Sequence, residues 1–287
     1  FTLLDLKTDK FYAARDPYGV RPAFMGWTEE DKSVCVASEI KAMSEFCEKI
    51  VPVIPGNYYT WTLGGDKKPE EHSYFEKKYD QISMSEKEAL AGIKNLLTTA
   101  VNKRMMSDRE IGCLLSGGLD SSLIASLVAE NFDTGNKLKT FSIGLPGSPD
   151  VEYAQKVADH IGSDHHVVNM SAEEFLAAIR TVIYNIESYD TTSVRASVGN
   201  YLVSKYIKDN TDVKVVFNGD GSDEVCMGYL YNINAPDAGE FFKENVRLLK
   251  EIFYFDVLRS DRSISSNGLE ARTPFLDKDF VNFNMSI

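Results

Sequence analysis

Ile111-Gly112-Cys113-Leu114-Leu115-Ser116-Gly117-Gly118-Leu119-Asp120-Ser121-Ser122 is the stretch whose reading decides the fold. Residues 111–115 form a short apolar run suited to a buried strand. Leu123, Ile124, Ser126, Leu127 and Val128 supply the buried side of a following helix. Between the two stand two glycines, three serines and an aspartate. A strand that feeds a helix through such a bend leaves N–H groups unpaired at the positive end of the helix dipole. Glycines admit an anion close to the backbone and hydroxyls add donors, so the bend suits a phosphate group. Asp120 repels bare phosphate, which makes sense where a metal ion accompanies the phosphates. The simpler reading is a tight turn with Asp120 or Ser121 as helix N-cap, and it leaves most of these polar residues without a purpose.

No lysine follows the glycines, so the stretch is not a P-loop, and the adjacent Gly117 and Gly118 do not make Gly-x-Gly-x-x-Gly. Ser-Gly-Gly-x-Asp-Ser-Ser does resemble the pyrophosphate-binding loop of ATP pyrophosphatases, which split ATP between its α and β phosphates.

Downstream of this loop, strands and helices alternate. A capping box at Ser85-Glu86-Lys87-Glu88 opens a helix whose Ala89, Leu90, Ile93, Leu96, Leu97, Ala100 and Val101 keep helical spacing. The expected order is then strand 111–115, helix 120–131, strand 138–143, helix 150–161, strand 165–169, helices 172–186 and 196–209, and strand 213–217. Strands separated by helices imply an α/β fold, a parallel sheet with helices on both faces. Ligands of such sheets bind beyond the strands' C-terminal ends, here the loops 116–122, 144–150 and 218–224. Residues 1–63 read instead as short β segments: a hairpin of residues 1–5 and 10–14, a turn-rich connector at 15–22, then strands near 23–27, 34–38 and 58–62. Gly64–Glu71 is polar and rich in breakers. The expected domains are therefore 1–68, a linker at 69–84, and 85–287.

Composition narrows the function. A net charge of −12 over 287 residues, with no Lys/Arg-rich run, opposes a nucleic-acid partner, which demands a basic surface. No apolar run approaches the ~20 residues of a membrane span. Cys35, Cys47, Cys113 and Cys226 lack Cys-x-x-Cys spacing, so each is read as a small buried residue in a reducing, cytoplasmic compartment.

Asn218-Gly219-Asp220-Gly221-Ser222-Asp223-Glu224 follows a buried strand and so shares an edge with Ser116. Three carboxylates beside a phosphate loop need cations, and Mg²⁺ held by one or two carboxylates and phosphate oxygens resolves the conflict. Asp120 and Asp223 are the expected Mg²⁺ ligands, with Asp220 facing the reacting substrate. A solvated turn is the plainer alternative. Ile143-Gly144-Leu145-Pro146-Gly147-Ser148-Pro149-Asp150 leaves another strand; its glycines give room for an adenine ring, or it is simply a loop before a helix capped by Asp150. Tyr189 to Ser197 places Thr191, Thr192 and Arg195 between two helices. Arg195 offers a bidentate fork for an amino-acid carboxylate, unless it pairs with a surface acid. His160, His165 and His166 are read as structural, and Tyr229-Leu230-Tyr231 either walls the site or packs in the core.

Taken together, these motifs resemble the glutamine-hydrolysing asparagine synthetase family, through 111–122, 144–150, 189–197, Lys205-Tyr206-Ile207, 219–224, 228–231, 255–259 and Gly268 to Asp277. Residues 1–62, with Arg15-Asp16-Pro17-Tyr18-Gly19-Val20-Arg21-Pro22, resemble the latter part of that family's glutaminase domain. The resemblance implies an ATP pyrophosphatase-like synthetase fold preceded by a partial, mainly-β segment of N-terminal-nucleophile type. It implies a ligase of amino-acid biosynthesis that uses ATP and Mg²⁺. Aspartate would become β-aspartyl-AMP with release of pyrophosphate, and ammonia, from glutamine in the complete enzyme, would give asparagine and AMP. Leu115 and Ile143 would contact the nucleotide. Ser116, Gly117, Gly118, Asp120, Ser121 and Ser122 would hold pyrophosphate, and Asn218 and Gly219 ATP. Thr191, Thr192 and Arg195 would hold aspartate. The family's Ser-Gly-Glu-Gly-Ser-Asp-Glu reads Asn218 to Glu224 here, and its glutamate supports the aspartyl-AMP step, so the shorter Asp220 bears on rate or substrate. Cys226-Met227 and Asn267 also depart from the pattern. Family glutaminases use an N-terminal Cys, which Phe1 does not supply, so glutamine hydrolysis is not expected of this chain, and a catalytic lysine that the family carries further on is missing from it. A β-lactam-synthetase-like adenylating ligase and a nucleotide-binding chain without turnover are the rival readings. Oligomeric state stays open, a homodimer among the options.

Overall fold

The computed structural model describes residues 1–28, 33–66 and 68–287. Residues 29–32, within the segment 1–68, and Lys67, within the polar stretch 64–71, lie outside them. The chain divides into two compact units, Phe1–Lys78 with Val246–Leu258, and Tyr79–Asn245 with Arg259–Ile287.

The first unit is built on two antiparallel sheets. One has the order β1 (Thr2–Asp5), β2 (Lys10–Ala14), β6 (Asn57–Thr62), β7 (Glu70–Ser73); the other sets β3 (Phe24–Trp27) between β4 (Val34–Ala37) and β5 (Lys49–Pro52). Ala13, Met25, Val53, Tyr59 and Trp61 form one of its cores. The connector 15–22 is held by its own charges. The buried Arg15 guanidinium donates to the carbonyls of Gly19, Arg21 and Val53 and lies 5.0 Å from the Phe253 ring centroid. The Asp16 carboxylate accepts from the N–H groups of Tyr18, Val20 and Arg21. Glu70–Ser73, inside the stretch read as a linker, pairs with β6 as the edge strand β7. Its sequence, Glu-Glu-His-Ser, has no apolar alternation to announce a strand.

The second unit carries a five-stranded, all-parallel sheet in the order β10 (Asp164–Asn169), β9 (Lys139–Gly144), β8 (Glu110–Leu114), β11 (Val213–Phe217), β12 (Glu270–Arg272). The chain moves outward from β8 through β9 to β10, then returns to the other side of β8. Right-handed crossovers in opposite directions put helices on opposite faces. On the outward path are α2 (Leu119–Glu130) and α3 (Pro149–Ile161); the return passes through α4 (Ala172–Ile186) and α5 (Thr191–Asn210). Val203 and Ile207 of α5 pack on Phe141, Val168, Val213 and Val216 of the sheet. The capping box of α1 (Glu86–Lys103) forms as expected, with Ser85 accepting from the Glu88 N–H and the Glu88 side chain accepting from the Ser85 N–H. Three further helices, α6 (Ser222–Cys226), α7 (Ala238–Glu251) and α8 (Asp256–Ser265), lead to β12, and α9 (Lys278–Asn284) packs on α1. Asp277 caps α9 and receives Lys103 and Arg104 from the end of α1. Burial pushes its carboxyl upward, but the two cations more than offset this and hold it below the usual range.

The helix expected at 196–209 starts five residues earlier, at Thr191, because Asp190 caps it by accepting from the Ser193 N–H at 2.8 Å. Likewise α3 starts with Ser148 as N-cap and Pro149 in its first turn, not with Asp150 as cap. Among the described residues no helix is long and apolar enough to cross a membrane.

The central strand has no space to spare. A Cβ on Gly112 would lie 2.9 Å from the Phe141 ring and 3.1 Å from the Lys139 carbonyl oxygen. Gly112→Val should therefore destabilise the unit despite the strand propensity of valine, by about 1–3 kcal/mol for an overpacked core. Thermal unfolding should show a Tm lowered by several degrees, and an unchanged or raised Tm would contradict this packing.

Candidate active site

The strand order 3-2-1-4-5 places a topological switch point between β8 and β11, where open α/β sheets bind ligands. Their register ends at Cys113 opposite Phe217. Beyond that pair each chain bonds outward: Leu115 N–H donates to the Phe141 carbonyl at 2.8 Å, and Asn218 N–H to the Arg272 carbonyl at 3.1 Å. The two strand ends thus part, and loops 116–122 and 218–224 rise on either side of the gap. They meet above it. A Cβ on Gly219 would lie 3.0 Å from both the Asp120 Cβ and the Ser121 nitrogen.

Loop 116–122 is organised by its own hydroxyls. Ser121 Oγ accepts from the Ser116 N–H, lies 2.9 Å from Ser116 Oγ, and donates to the Gly118 carbonyl; Ser122 Oγ donates to that carbonyl at 2.6 Å. The N-cap of α2 is Gly118, with no side-chain cap, rather than Asp120 or Ser121. The first-turn N–H groups are thereby left for an incoming anion. Gly117 has φ +83°, and a Cβ there would lie 2.6 Å from the Asp150 carbonyl oxygen at the start of α3. Leu115 is fully buried, so what it offers a ligand is main chain. Ile143 packs against the sheet core and against α4 and α5. The room expected at Gly144 is taken by Val151 and Ser148, whereas Gly147 is open.

In the second loop, the Asp220 carboxylate is turned onto the Asn218 and Ser260 side chains. Its Oδ2 accepts from Asn218 Nδ2 at 2.5 Å and from Ser260 Oγ on α8. Glu224 is buried and accepts from the Tyr229 hydroxyl, and the Tyr229 and Tyr231 rings stack 5.8 Å apart. Tyr229 therefore supports the loop from behind. The carboxylate of Asp223 fills the space over Gly228, with Oδ1 2.1 Å from where a Cβ would stand. Cys226, expected to be buried, is an exposed residue at the end of the short α6. Its thiol is nonetheless pushed up to about 11, by local burial first and then by the carboxylates of Asp120 and Asp223. Asp120 and Asp223 stand on the two loops that meet at Gly219. That pair suits a hard divalent cation that takes its remaining oxygens from phosphate and water.

Thr191, Thr192 and Arg195 are exposed on the first turns of α5 rather than in an interhelical connector. Arg195 makes no ion pair among the described residues, so its fork is not spent on a surface acid. One turn further on, Gly199 approaches Ile143, where a Cβ would lie 3.8 Å from Cγ2. No hydrogen bond or ion pair among the described residues joins Arg195 to loop 218–224. The α4–α5 turn is instead tied to α8 through a buried ion pair, Glu187 with Arg262. Arg262 is 1% exposed, and Glu187 ends α4 at φ +55°, a conformation costly for a non-glycine residue. Sequence reading missed Ser260, Glu187 and Arg262. His165, as expected, is structural: it bonds to Thr140 and Ser142, and burial lowers its basicity.

A family model described as asparagine synthase matches residues 92–242 and 234–287, and one described as a glutamine amidotransferase domain matches residues 1–45. The glutamine-hydrolysing asparagine synthetases of Pongo abelii and Homo sapiens are each 42% identical to the chain over 311 residues, covering 100% of it and 55% of their own length. The chain spans about half the length of these curated relatives. Among solved structures, an NH3-dependent NAD synthetase from Campylobacter jejuni aligns with TM-score 0.33 and 17% identity, over 58% of this chain and 78% of that one. So distant a likeness adds nothing to the geometry.

Two substitutions probe this arrangement. Glu187→Gln takes one carboxylate away from the buried Arg262 guanidinium, and should cost about 3 kcal/mol, read as a lowered Tm. Gly228→Ala forces the Asp223 carboxylate aside; were Asp223 a Mg²⁺ ligand, the Mg²⁺ concentration needed for nucleotide binding would rise roughly 10–100-fold. An unaltered Mg²⁺ titration would speak against a metal role for Asp223.

Proposed function

Because the chain belongs to the asparagine synthase family, we propose that it carries the synthetase half of an ATP-dependent amide ligase that converts aspartate to asparagine. The observation behind this reading is the contact of Gly219 with Asp120 and Ser121, which joins a phosphate-type loop to an acidic loop at the switch point.

The α2 N-terminus and the hydroxyls of Ser116, Ser121 and Ser122 take the β- and γ-phosphates of ATP, while Gly117 and Gly118 let the chain approach them. Asp120 and Asp223 would hold Mg²⁺, which when bound neutralises charge on the leaving diphosphate. Main chain at Leu115 and Gly219, with Ile143 and Asn218 beside them, lines the nucleotide. Arg195, assisted by Thr191 and Thr192, takes the α-carboxylate of aspartate as a bidentate pair. The β-carboxylate then attacks the α-phosphorus. The bond to the bridging oxygen breaks, pyrophosphate leaves, and β-aspartyl-AMP remains. Ammonia adds to the acyl carbon, loses a proton, and expels AMP. Donors fixed before the reaction stabilise the charge that develops, which is the main demand of phosphoryl transfer. The longer relatives are named as glutamine-hydrolysing, and residues 1–45 match an amidotransferase domain, so glutamine would be the ammonia source of the longer enzyme.

Pyrophosphate release from Mg·ATP should depend on added aspartate, with asparagine formed when ammonium is present. ATP binding without pyrophosphate would favour a nucleotide-binding chain, and turnover of another carboxylate in place of aspartate would favour a cyclising ligase. Arg195→Lys keeps the charge but loses the fork. It should raise the KM for aspartate at least tenfold while the KM for ATP stays within a factor of about two.

A further inference from the structure

Among the groups that hold the Asp220 carboxylate are two side chains from different parts of the chain. Asn218 Nδ2 reaches it from two residues away and also lies 3.3 Å from Ser260 Oγ; Ser260 reaches it across forty residues. The Asp220 N–H donates back to Asn218 Oδ1 at 3.3 Å. Asn218 is 4% and Ser260 1% exposed, so two buried polar side chains sit beneath a half-buried acid at the edge of the crevice. Buried polar groups contribute to stability only when their bonds are complete, and an apolar set would pack as well. The cluster is also held from behind. Arg262 leaves α8 two residues after Ser260, on nearly the opposite side of the helix, and pairs with Glu187, which fixes the rotation of α8.

We propose that Asn218 and Ser260 are positioning residues that set how far the Asp220 carboxylate reaches toward the bound carboxylate substrate. This rests on the ligase reading above. The reach of the acid then belongs to residues 218, 220 and 260 together, so one methylene more at 220 is tolerated only if a donor gives way.

The test compares Ser260→Ala, Asp220→Glu, Asp220→Asn and the doubles S260A/D220E and S260A/D220N in the whole chain, by pyrophosphate release and by thermal unfolding. Ser260→Ala should lower kcat about tenfold or more, as small misplacements of reacting groups do, with the KM for ATP within about twofold. Asp220→Glu should lose a similar factor, and S260A/D220E should recover part of it, because the alanine makes room for the longer acid. A purely structural serine would give no such recovery. An unchanged kcat in Ser260→Ala, or multiplicative losses in S260A/D220E, overturns the proposal. If the unsubstituted chain releases no pyrophosphate with aspartate, the ligase reading fails by itself. The clamp is then judged by melting, where S260A and D220N should be non-additive in Tm, and additive shifts overturn it.

Discussion

The site depends on where two backbone hydrogen bonds go. After Cys113 and Phe217 the central strands stop bonding to each other and each turns to its outer neighbour, Leu115 to β9 and Asn218 to β12. A parallel sheet whose chain order reverses at that pair has no crossover covering the gap. The loops that leave it must satisfy their own polar groups or offer them to a ligand. Both happen here: serine hydroxyls bond within loop 116–122, while the first turn of α2 has no side-chain cap. The uncapped N–H groups at the start of α2 need little reorganisation when an anion arrives.

Several glycines around the gap mark close approaches, each to a different partner. Gly219 admits the other loop, Gly228 admits the Asp223 carboxylate, and Gly117 admits the start of α3. At Gly117 the conformation adds a second reason, since φ +83° is unfavourable for any residue with a Cβ. Asp120 and Asp223 stand on the two loops that meet above the gap, and after burial their charges help to raise the Cys226 thiol. Charge of one sign gathered there makes physical sense when a divalent ion and a polyphosphate arrive together.

Much of the fold was legible because its signals are local. Apolar runs of five residues, helical spacing after Ser85, and a Ser-x-x-Glu box are properties of short segments, and they gave the alternation from which a parallel sheet follows. What was not legible needed partners distant in sequence. The start of α5 was misplaced because Thr191 to Arg195 reads as a polar connector, although a single hydrogen bond from the Ser193 N–H to Asp190 is enough to begin the helix. β7 has no pattern of its own and exists because β6 offers it an edge. The loop around Ser116 could be read from composition, but the direction of the Asp220 side chain could not, since Ser260 is forty residues away.

The hardest element to read was α8, and the reason is instructive. Ser260-Asp261-Arg262-Ser263 looks like a solvated face, yet all four residues are buried. A buried ion pair such as Glu187–Arg262 gains little net stability over an apolar pair of the same size. What it supplies is directionality: a guanidinium and a carboxylate meet in few geometries, whereas leucines slide. That property matters here because Ser260 must present its hydroxyl to Asp220 at a fixed angle. Glu187 supports this even at φ +55°, where the backbone itself is unfavourable. Strain at the α4–α5 turn, a buried charge in α8 and a clamped acid in loop 218–224 are therefore successive links of one chain of contacts. Its cost in stability makes sense only if the place where it ends must not move.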